Sequence, residues 1–328
     1  MPEPDRDFRG AGGLADPTGG TINPVSTLEP VDVVAAEGGA PLTGRAARRG
    51  RLGVLGTLAI AWLAFVVAAA LLAPWLPLDD PNENVASIVA QPPGTDGHVL
   101  GGDGLGRDLL SRMVWGARAS LLLGTASVLL GLLAGGLLGL MAGYFRGRTD
   151  TVLSGAFDTL LSFPQLILAL TLVTVFASQE GVSETRRMVV LILALGVVSI
   201  PVLARITRAN TMAWSQREFV MAARALGARN RQIMFGEVLP NVLPAMFSIA
   251  LLGVAVVIVA EGGLSLLGVG VKLPTPSWGN ILAEGRSDLR NAPHIVLVAT
   301  VAIFLTVLAL NYLGDVVRAR FDVRESAL

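Results

Sequence analysis

Residue types that perform covalent or metal chemistry are scarce in this chain of 328 residues. It contains no cysteine and only two histidines, His98 and His294, which lie far apart in the sequence. Disulfides, thiolate ligands and cysteine nucleophiles are therefore excluded, and we expect neither a metal site nor a catalytic residue. The only lysine, Lys272, stands between Val271 and Leu273. A Walker A loop needs a lysine between glycine and serine or threonine, so the chain cannot carry that ATPase site.

Polar residues within apolar stretches are the remaining candidates for chemistry. Asp158, Glu261 and Asn311 interrupt apolar sequences, and Phe163 and Pro164 mark a break close to the first of them. Polar side chains at membrane depth usually face a bundle interior or a water-filled path, and a proline break there usually borders a cavity. These five residues are our candidates for a translocation pathway. A structural hydrogen-bonding role fits Asp158 and Glu261 equally well, because both lie near the predicted ends of their spans.

A charged segment between two apolar runs has the pattern of a helix, a turn and a second helix. Good helix formers occupy residues 218–226, and Gly227 can end that helix in a left-handed conformation. Residues 229–236 can start a second short helix. Pro240 and Pro244 suit the first turn of the apolar helix that follows.

The face that this segment presents favours contact with another protein. Ala222 and Ala223 have small side chains on one face of the first helix, so that a partner's helices or groove walls can come close to its backbone. Arg224 and Arg229 flank that side and can pair with acidic groups. The alternative is an amphipathic segment lying on anionic lipid. Such segments carry Trp, Phe and Leu on one face, whereas this face is mostly alanine.

The composition indicates an integral membrane protein. The chain is 52% hydrophobic and 15% charged, with a mean hydropathy of +0.63, whereas soluble domains have about 25% charged residues. The formal net charge is zero, which gives nucleic-acid binding no electrostatic support. A transmembrane helix needs about 20 mostly apolar residues. Segments of this kind cover residues 52–74, 119–143, 152–177, 188–208, 242–262 and 293–315. The predicted fold class is therefore all-α, with six transmembrane helices.

Basic residues predict the orientation and the division of the chain. With the N-terminus inside, 15 basic residues flank the inner ends of the spans and 8 lie in the outer loops, which places both termini and the segment around Gly227 in the cytoplasm.

The first apolar run begins near Leu52, so residues 1–44 are not a signal peptide, and their composition predicts a disordered cytoplasmic tail. Residues 45–118 hold the first span and an extracytoplasmic loop, residues 119–323 the core, and residues 324–328 a C-terminal tail.

Glycines recur at a spacing of four in the second predicted span. Gly131, Gly135, Gly139 and Gly143 lie on one helix face, where small residues let two helix backbones approach closely. This ridge predicts tight packing within the bundle, and a contact between subunits is the alternative.

The two long outer loops carry signals of local structure. Residues 107–115 predict a short amphipathic helix at the outer surface. The preceding glycines do not match the spacing of a phosphate-binding loop. In the last outer loop, Pro274, Pro276 and Trp278 predict a re-entrant or interfacial segment, with Trp278 in the headgroup zone.

Separate sequence motifs carry a resemblance to a known family. "AARALG", followed ten residues after Gly227 by "EVLP", resembles the EAA loop of ABC importer permeases, with Met221 in place of the glutamate that names the motif. "GGDGLGRDLLSRMVWGARASL" resembles an outer-loop signature of the peptide-importer branch, with Gly102 in place of threonine. "PTPSWGNILAEGR" and "AIFLTVLALNYLGDVVRARFD" resemble the same branch. The chain is thus similar, over residues 52–323, to C-type permeases of the dipeptide/oligopeptide/nickel family.

This resemblance implies the type I ABC importer permease fold and a multi-pass subunit of a bacterial plasma (inner) membrane. It implies four kinds of neighbour: a second, homologous permease, two cytoplasmic ATPase subunits, an extracytoplasmic substrate-binding protein and membrane lipid. ATP and magnesium would be bound by the ATPases, and this chain would hold no cofactor. The EAA loop, at about residues 214–240, would seat in an ATPase groove. The coupling residues are then Glu218, Ala222, Ala223, Arg224, Gly227, Arg229 and Pro240.

The substrate is the least determined feature. Family members import peptides or nickel, and a largely apolar path with few fixed charges favours a varied organic solute over a desolvated metal ion. We therefore expect import of di- or oligopeptides, with nickel or another small solute as the alternative. A self-sufficient secondary transporter would need inverted repeats and buried ionisable relays, which the sequence does not display. A membrane-embedded enzyme lacks an evident nucleophile and base.

Overall fold

The computed structural model describes residues 53–177 and 183–325. Within these ranges the chain is helical and forms no strand, apart from one isolated antiparallel bridge between Gly102 and Asp108. The predicted tail of residues 1–44 and the last three residues of the predicted C-terminal tail lie outside the described residues.

Ten α-helices and one π-helical segment make up most of the described chain. They are α1 (Val54–Leu72), α2 (Leu109–Phe145), α3 (Gly147–Leu161), α4 (Gln165–Ala177), α5 (Glu184–Trp214), α6 (Glu218–Ala225), α7 (Asn230–Gln232), the π segment (Ile233–Val238), α8 (Leu239–Leu266), α9 (Trp278–Gly285) and α10 (Pro293–Glu325). Short 3₁₀ helices punctuate the connection between α1 and α2.

Five helical runs of the described chain are long and apolar enough to cross a membrane. They are α1 with the 3₁₀ turn after it, α2, α5, the run of residues 230–266, and α10. Helices α3 and α4 qualify together as a sixth span, bent by 83° at the break between them. The all-α membrane fold is confirmed, and the break lies at Pro164, as the sequence predicts. Pro201, in contrast, stays inside the continuous helix α5.

The beginning of α2 differs from the prediction. Residues 107–115 do not form a separate surface helix, because α2 begins at Leu109 and continues to Phe145. Asp108 caps it, with Oδ2 accepting the backbone N–H of Ser111 at 2.7 Å. Arg112 is buried and paired with acidic groups inside the protein. The helix is therefore longer than its apolar stretch, since ion pairs allow Arg112 to be buried beside Leu109 and Met113 in its first turns.

The glycine ridge of α2 packs within the bundle, against α5. A Cβ at Gly135 would lie 2.5 Å from the carbonyl oxygen of Ile200, and one at Gly143 would lie 2.6 Å from that of Arg208. A residue with a side chain would force the two helices apart at these positions. The predicted packing role is confirmed.

The segment before α8 also differs from the prediction. The sequence predicts a second short helix that starts at residues 229–236 and is separate from the following span. In the structure, α7, the π segment and α8 instead form one run, residues 230–266. The π segment ends two residues before Pro240, which has no N–H to donate to the preceding turn. A wider local turn therefore carries the helix past the proline without a break.

Candidate coupling site and transport path

The two ends of the helix bundle are formed by different segments of the chain. Residues 212–238 form one end, which we call the α6 end. Tyr144, near the end of α2, donates its hydroxyl to Asn230 Oδ1 at 3.1 Å, and Arg146 donates to the carbonyl oxygen of Met212 at 3.2 Å. Residues 73–108 and 267–292 form the other end, which we call the cap end. There Thr275 donates its hydroxyl to Glu184, at the start of α5.

Helix α6 lies on the surface of the α6 end. Val220 is its only fully buried residue, and Ala223 is half-buried. The predicted coupling residues Glu218, Ala222, Arg224, Gly227, Arg229 and Pro240 are all exposed. In the described part of the chain, neither Arg224 nor Arg229 forms an ion pair. Their guanidinium groups are available to acidic groups of another protein.

Gly227 ends α6 as the sequence predicts. Its φ is +84°, in the left-handed region, and a Cβ there would meet nothing within 4 Å. The backbone N–H of Gly227 donates to Arg224 O at 3.0 Å, and that of Ala228 donates to Ala223 O at 3.1 Å. These bonds satisfy carbonyls at the end of the helix. The constraint at this position is therefore the backbone angle and not the space.

Apolar side chains are exposed around the same turn. Leu226 is 89% exposed, and Met221 and Phe235 are also on the surface. These side chains lie on, or at the end of, helices that pack together, since α6 contacts the π segment. The α6 end thus combines exposed apolar side chains, arginines without an ion pair and a hydrogen-bonded turn at Gly227. An interface for another protein has these properties.

The predicted pathway residues are spread over several environments. Asp158 pairs with Arg205 of α5, and both side chains are more than half exposed. Phe163 is exposed at the break between α3 and α4, beside exposed Pro164.

The other two predicted pathway residues make hydrogen bonds, and Asn311 is half-buried whereas Glu261 is buried. Asn311 donates its amide to Val307 O of its own helix at 2.9 Å. Glu261 is fully buried, with hydrogen bonds described below. A role in transport stays a prediction for all five residues.

A groove of about 270 Å³ lies between α2, α4, α5 and α8. Within the described chain its lining includes none of the five predicted pathway residues. Gln165, which directly follows the break, and Ser199 are its polar side chains, and the rest of the lining is mainly apolar, including Leu195, Val198, Ile249 and Val256. A substrate in this groove would meet a largely apolar wall with no fixed charge.

A buried ion network holds the cap end together. Arg107 Nε lies 2.7 Å from Asp103 Oδ2, and Arg112 Nε lies 3.2 Å from the same oxygen. Both arginines also pair with Glu284 of α9, Arg112 at 3.4 Å. Sequence reasoning missed this network, because Glu284 lies more than 170 positions from both arginines and both arginines fit a surface helix equally well.

Trp278 is buried, so the prediction that it lies in the headgroup zone is wrong. Its indole N–H donates to Met113 O at 3.0 Å, and its backbone N–H donates to Ser120 Oγ at 3.1 Å. Both partners are in α2. The side chain thus anchors α9 to α2, where its N–H finds a partner within the protein.

One group in the described residues has ligand atoms close enough together to hold a metal ion: Asp79, His98 and Asp108. His98 Nδ1 lies 2.9 Å from Asp108 Oδ1 and 3.6 Å from Asp79 Oδ2. Asp108 Oδ2 already accepts the N–H of Ser111 as a helix cap. These contacts equally describe a histidine hydrogen-bonded to the cap of α2.

Comparisons with known proteins agree with this architecture. Residues 135–326 match the family described as binding-protein-dependent transport system inner membrane component. An inward-facing structure of the MetNI methionine ABC transporter has a TM-score of 0.52 at 20% identity, and the match covers 64% of this chain and 97% of that one. At that identity the likeness supports the fold alone.

Curated relatives are more similar in sequence. A di/tripeptide transport system permease of Pseudomonas aeruginosa is 38% identical over 275 residues, 82% of this chain and 88% of the relative. A glutathione transport system permease of Salmonella paratyphi A is 38% identical over 258 residues, 78% of this chain and 82% of the relative. One of Escherichia coli O1:K1 is 36% identical over 276 residues, 84% of this chain and 88% of the relative.

The fold and these matches define the class of protein, a multi-pass membrane permease of an ABC importer. The chain belongs to the family of binding-protein-dependent transport system inner membrane components, and its sequence is consistent with the dipeptide/oligopeptide branch. Membership in this family implies ATPase and substrate-binding partners.

Proposed function

We propose that this permease moves di- or oligopeptides into the cytoplasm and is driven by separate ATPase subunits that dock at the α6 end. The observation that carries the docking proposal is the exposed α6, ended by the left-handed Gly227, with Arg224 and Arg229 unpaired beside it. A short rigid helix transmits displacement that a flexible loop would absorb. The coupling residues are Glu218, Ala222, Ala223, Arg224, Gly227, Arg229 and Pro240.

The peptide substrate is supported by two independent features. The relatives are named for di/tripeptides and for glutathione, which is itself a tripeptide. The apolar groove beside Gln165 offers no cluster of metal ligands in the described chain and suits solutes of varied side chain. Nickel or another small solute is the alternative substrate within this family.

The assembly follows from the same proposal. A second, homologous permease and two ATPases complete the complex, with ATP and magnesium on the ATPases, and an extracytoplasmic protein delivers the substrate. This chain itself has no catalytic residue. Both of its termini and the α6 end face the cytoplasm of a bacterium, and the cap end faces outward.

A tagged pull-down in mild detergent tests the docking site. Ala223→Glu adds bulk and charge to the half-buried side of α6, and we expect the ATPases to be lost while the second permease is retained. Ala86→Glu, at an exposed position of the cap end, is the control and should keep the ATPases. Equal ATPase recovery with Ala223→Glu and wild type would contradict the proposed site.

Transport by the purified complex in liposomes tests the substrate class. We expect ATP-dependent uptake of a labelled dipeptide that requires the binding protein. Uptake of nickel in place of peptide would select the alternative substrate. Uptake by this chain alone under an ion gradient would contradict an ABC mechanism.

A further inference from the structure

A buried carboxylate joins α8 to α9. The side chain of Glu261 is almost fully buried near the cap end of α8. Its Oε1 accepts a hydrogen bond from Ser265 Oγ in the same helix at 2.8 Å and one from Ser277 Oγ at 2.9 Å. Ser277 is the N-cap of α9, where its Oγ also accepts the N–H of Asn280 at 3.0 Å. The start of α9 is therefore bonded directly to α8.

The carboxylate of Glu261 also lies in close contact with the backbone of α9. A Cβ at Gly279 would lie 2.5 Å from Glu261 Oε2 and 2.7 Å from Oε1. Oε2 makes no hydrogen bond of good geometry among the described residues, although the backbone groups of Val271 and Gly279 also interact with the carboxylate. Burying a carboxylate with an unpaired oxygen costs free energy that an apolar residue would not cost. Packing alone therefore does not account for a glutamate at this position.

From α9 the connection continues into the cap. Glu284, at the other end of the same short helix, pairs with Arg107 and Arg112, and Arg112 pairs with Asp103. All three of these partners are buried. A displacement of α9 should move the cap end as well, because separating these buried charges would leave one without its partner, which costs free energy.

In the other direction the connection reaches the α6 end. The helical run of residues 230–266 contains 37 residues without interruption, which at 1.5 Å per residue spans about 55 Å. It begins beside α6, which packs against the π segment. A single helical element thus leads from the candidate coupling site to Glu261.

We propose that Glu261 is a positioning residue that transmits movement between the α6 end and the cap, through its bond to Ser277 and its contact with Gly279. The inference rests on the proposed function, in which ATPases act on the α6 end and the binding protein acts on the cap. Movement of α8 shifts α9, and α9 shifts the cap through Glu284. Because coupling is reciprocal, events at the cap bias the α6 end through the same bonds.

The test uses the complete complex in nanodiscs, with its partner permease, ATPases and binding protein. The measured quantity is the ratio of ATP hydrolysis with and without peptide-loaded binding protein. We expect Glu261→Ala, which removes both the bond and the contact, and Ser277→Ala, which removes the bond, each to lower this ratio at least about fivefold, the lower range of allosteric coupling. Ser248→Ala is the matched control. It removes another buried α8 hydroxyl, which donates to Gly314 O of α10 at 2.7 Å, and should retain the ratio.

A second measurement separates transmission from a damaged cap. The Kd of the binding protein without nucleotide should stay within about twofold of wild type in Ser277→Ala, since the network around Arg112 is intact. Retained stimulation in Ser277→Ala would overturn the proposal, as would a loss of stimulation matched by an equal weakening of Kd. If the wild-type complex shows no ATP-dependent peptide uptake in liposomes, the proposed function fails instead.

Discussion

Gly139 of α2 lies so close to Ala204 of α5 that a Cβ at position 139 would be 2.3 Å from the carbonyl oxygen of Ala204. The contact continues the glycine ridge at one-turn intervals along both helices. Close packing of two backbones replaces the hydrophobic driving force, which is weak between helices in lipid.

Gly139→Ala should therefore destabilise the protein. The new methyl group forces α2 and α5 apart, which for overpacked cores costs about 1–3 kcal/mol. Gly155→Ala in α3 is the matched control, because a Cβ there meets nothing within 4 Å. Thermal unfolding in detergent measures both. If the two variants unfold at the same temperature, the packing role of the ridge is wrong.

Gly227 provides a test of backbone geometry. Gly227→Val should lower peptide transport, because a β-branched residue resists a φ of +84° and the end of α6 must rearrange. Gly227→Asn should retain most of it, because asparagine tolerates the left-handed region. The surrounding space is open in both cases. Equal transport by the two variants, measured in liposomes with the complete complex, would show that the angle at Gly227 does not matter.

Arg112 should be essential to the cap. Arg112→Met leaves Asp103 and Glu284 with one arginine in place of two, and breaking a buried ion pair from one side costs about 3–5 kcal/mol. Arg118→Met, in the same helix but exposed, should change stability by less than about 0.5 kcal/mol. Chemical denaturation compares them. A small effect of Arg112→Met would mean that the cap is held by other contacts.

The orientation of the protein in the membrane can be tested by labelling single introduced cysteines. No other residue reacts in this experiment, because the chain has no native cysteine. A cysteine at exposed Ala225 should react with a membrane-impermeant maleimide only from the cytoplasmic side. One at exposed Ser287 should react only from outside. The reverse pattern would invert the proposed topology, and with it the assignment of the α6 end to the ATPases.

Much of the fold could be predicted because its causes are local. Runs of about 20 apolar residues define spans without knowledge of their neighbours. Proline removes a helical hydrogen bond through its missing N–H, and the helix breaks at Pro164 although it continues through Pro201. Gly227 adopts the left-handed conformation that other residues resist. A glycine spacing of four places the glycines on one helix face, so close packing of the α2 ridge could be predicted, with a contact between subunits as the alternative.

Other features depend on partners that are distant in sequence. Arg112 looked like a surface residue, since its charge is compatible with water until Asp103 and Glu284 are brought beside it. The same holds for Trp278, which suited a membrane interface until Met113 provided its hydrogen bond. No local pattern distinguishes these alternatives.

The sequence by itself determined that this is an all-helical membrane protein with a charged segment, turned at Gly227, between two spans, because hydropathy, proline and glycine act over a few residues. Only the tertiary structure decided where α2 begins, that residues 230–266 form one run, and that Glu261 faces Ser277 of α9. The physical reason is that a buried polar group is stable only beside its partner. The chain brings such partners together from positions as far apart as 107 and 284.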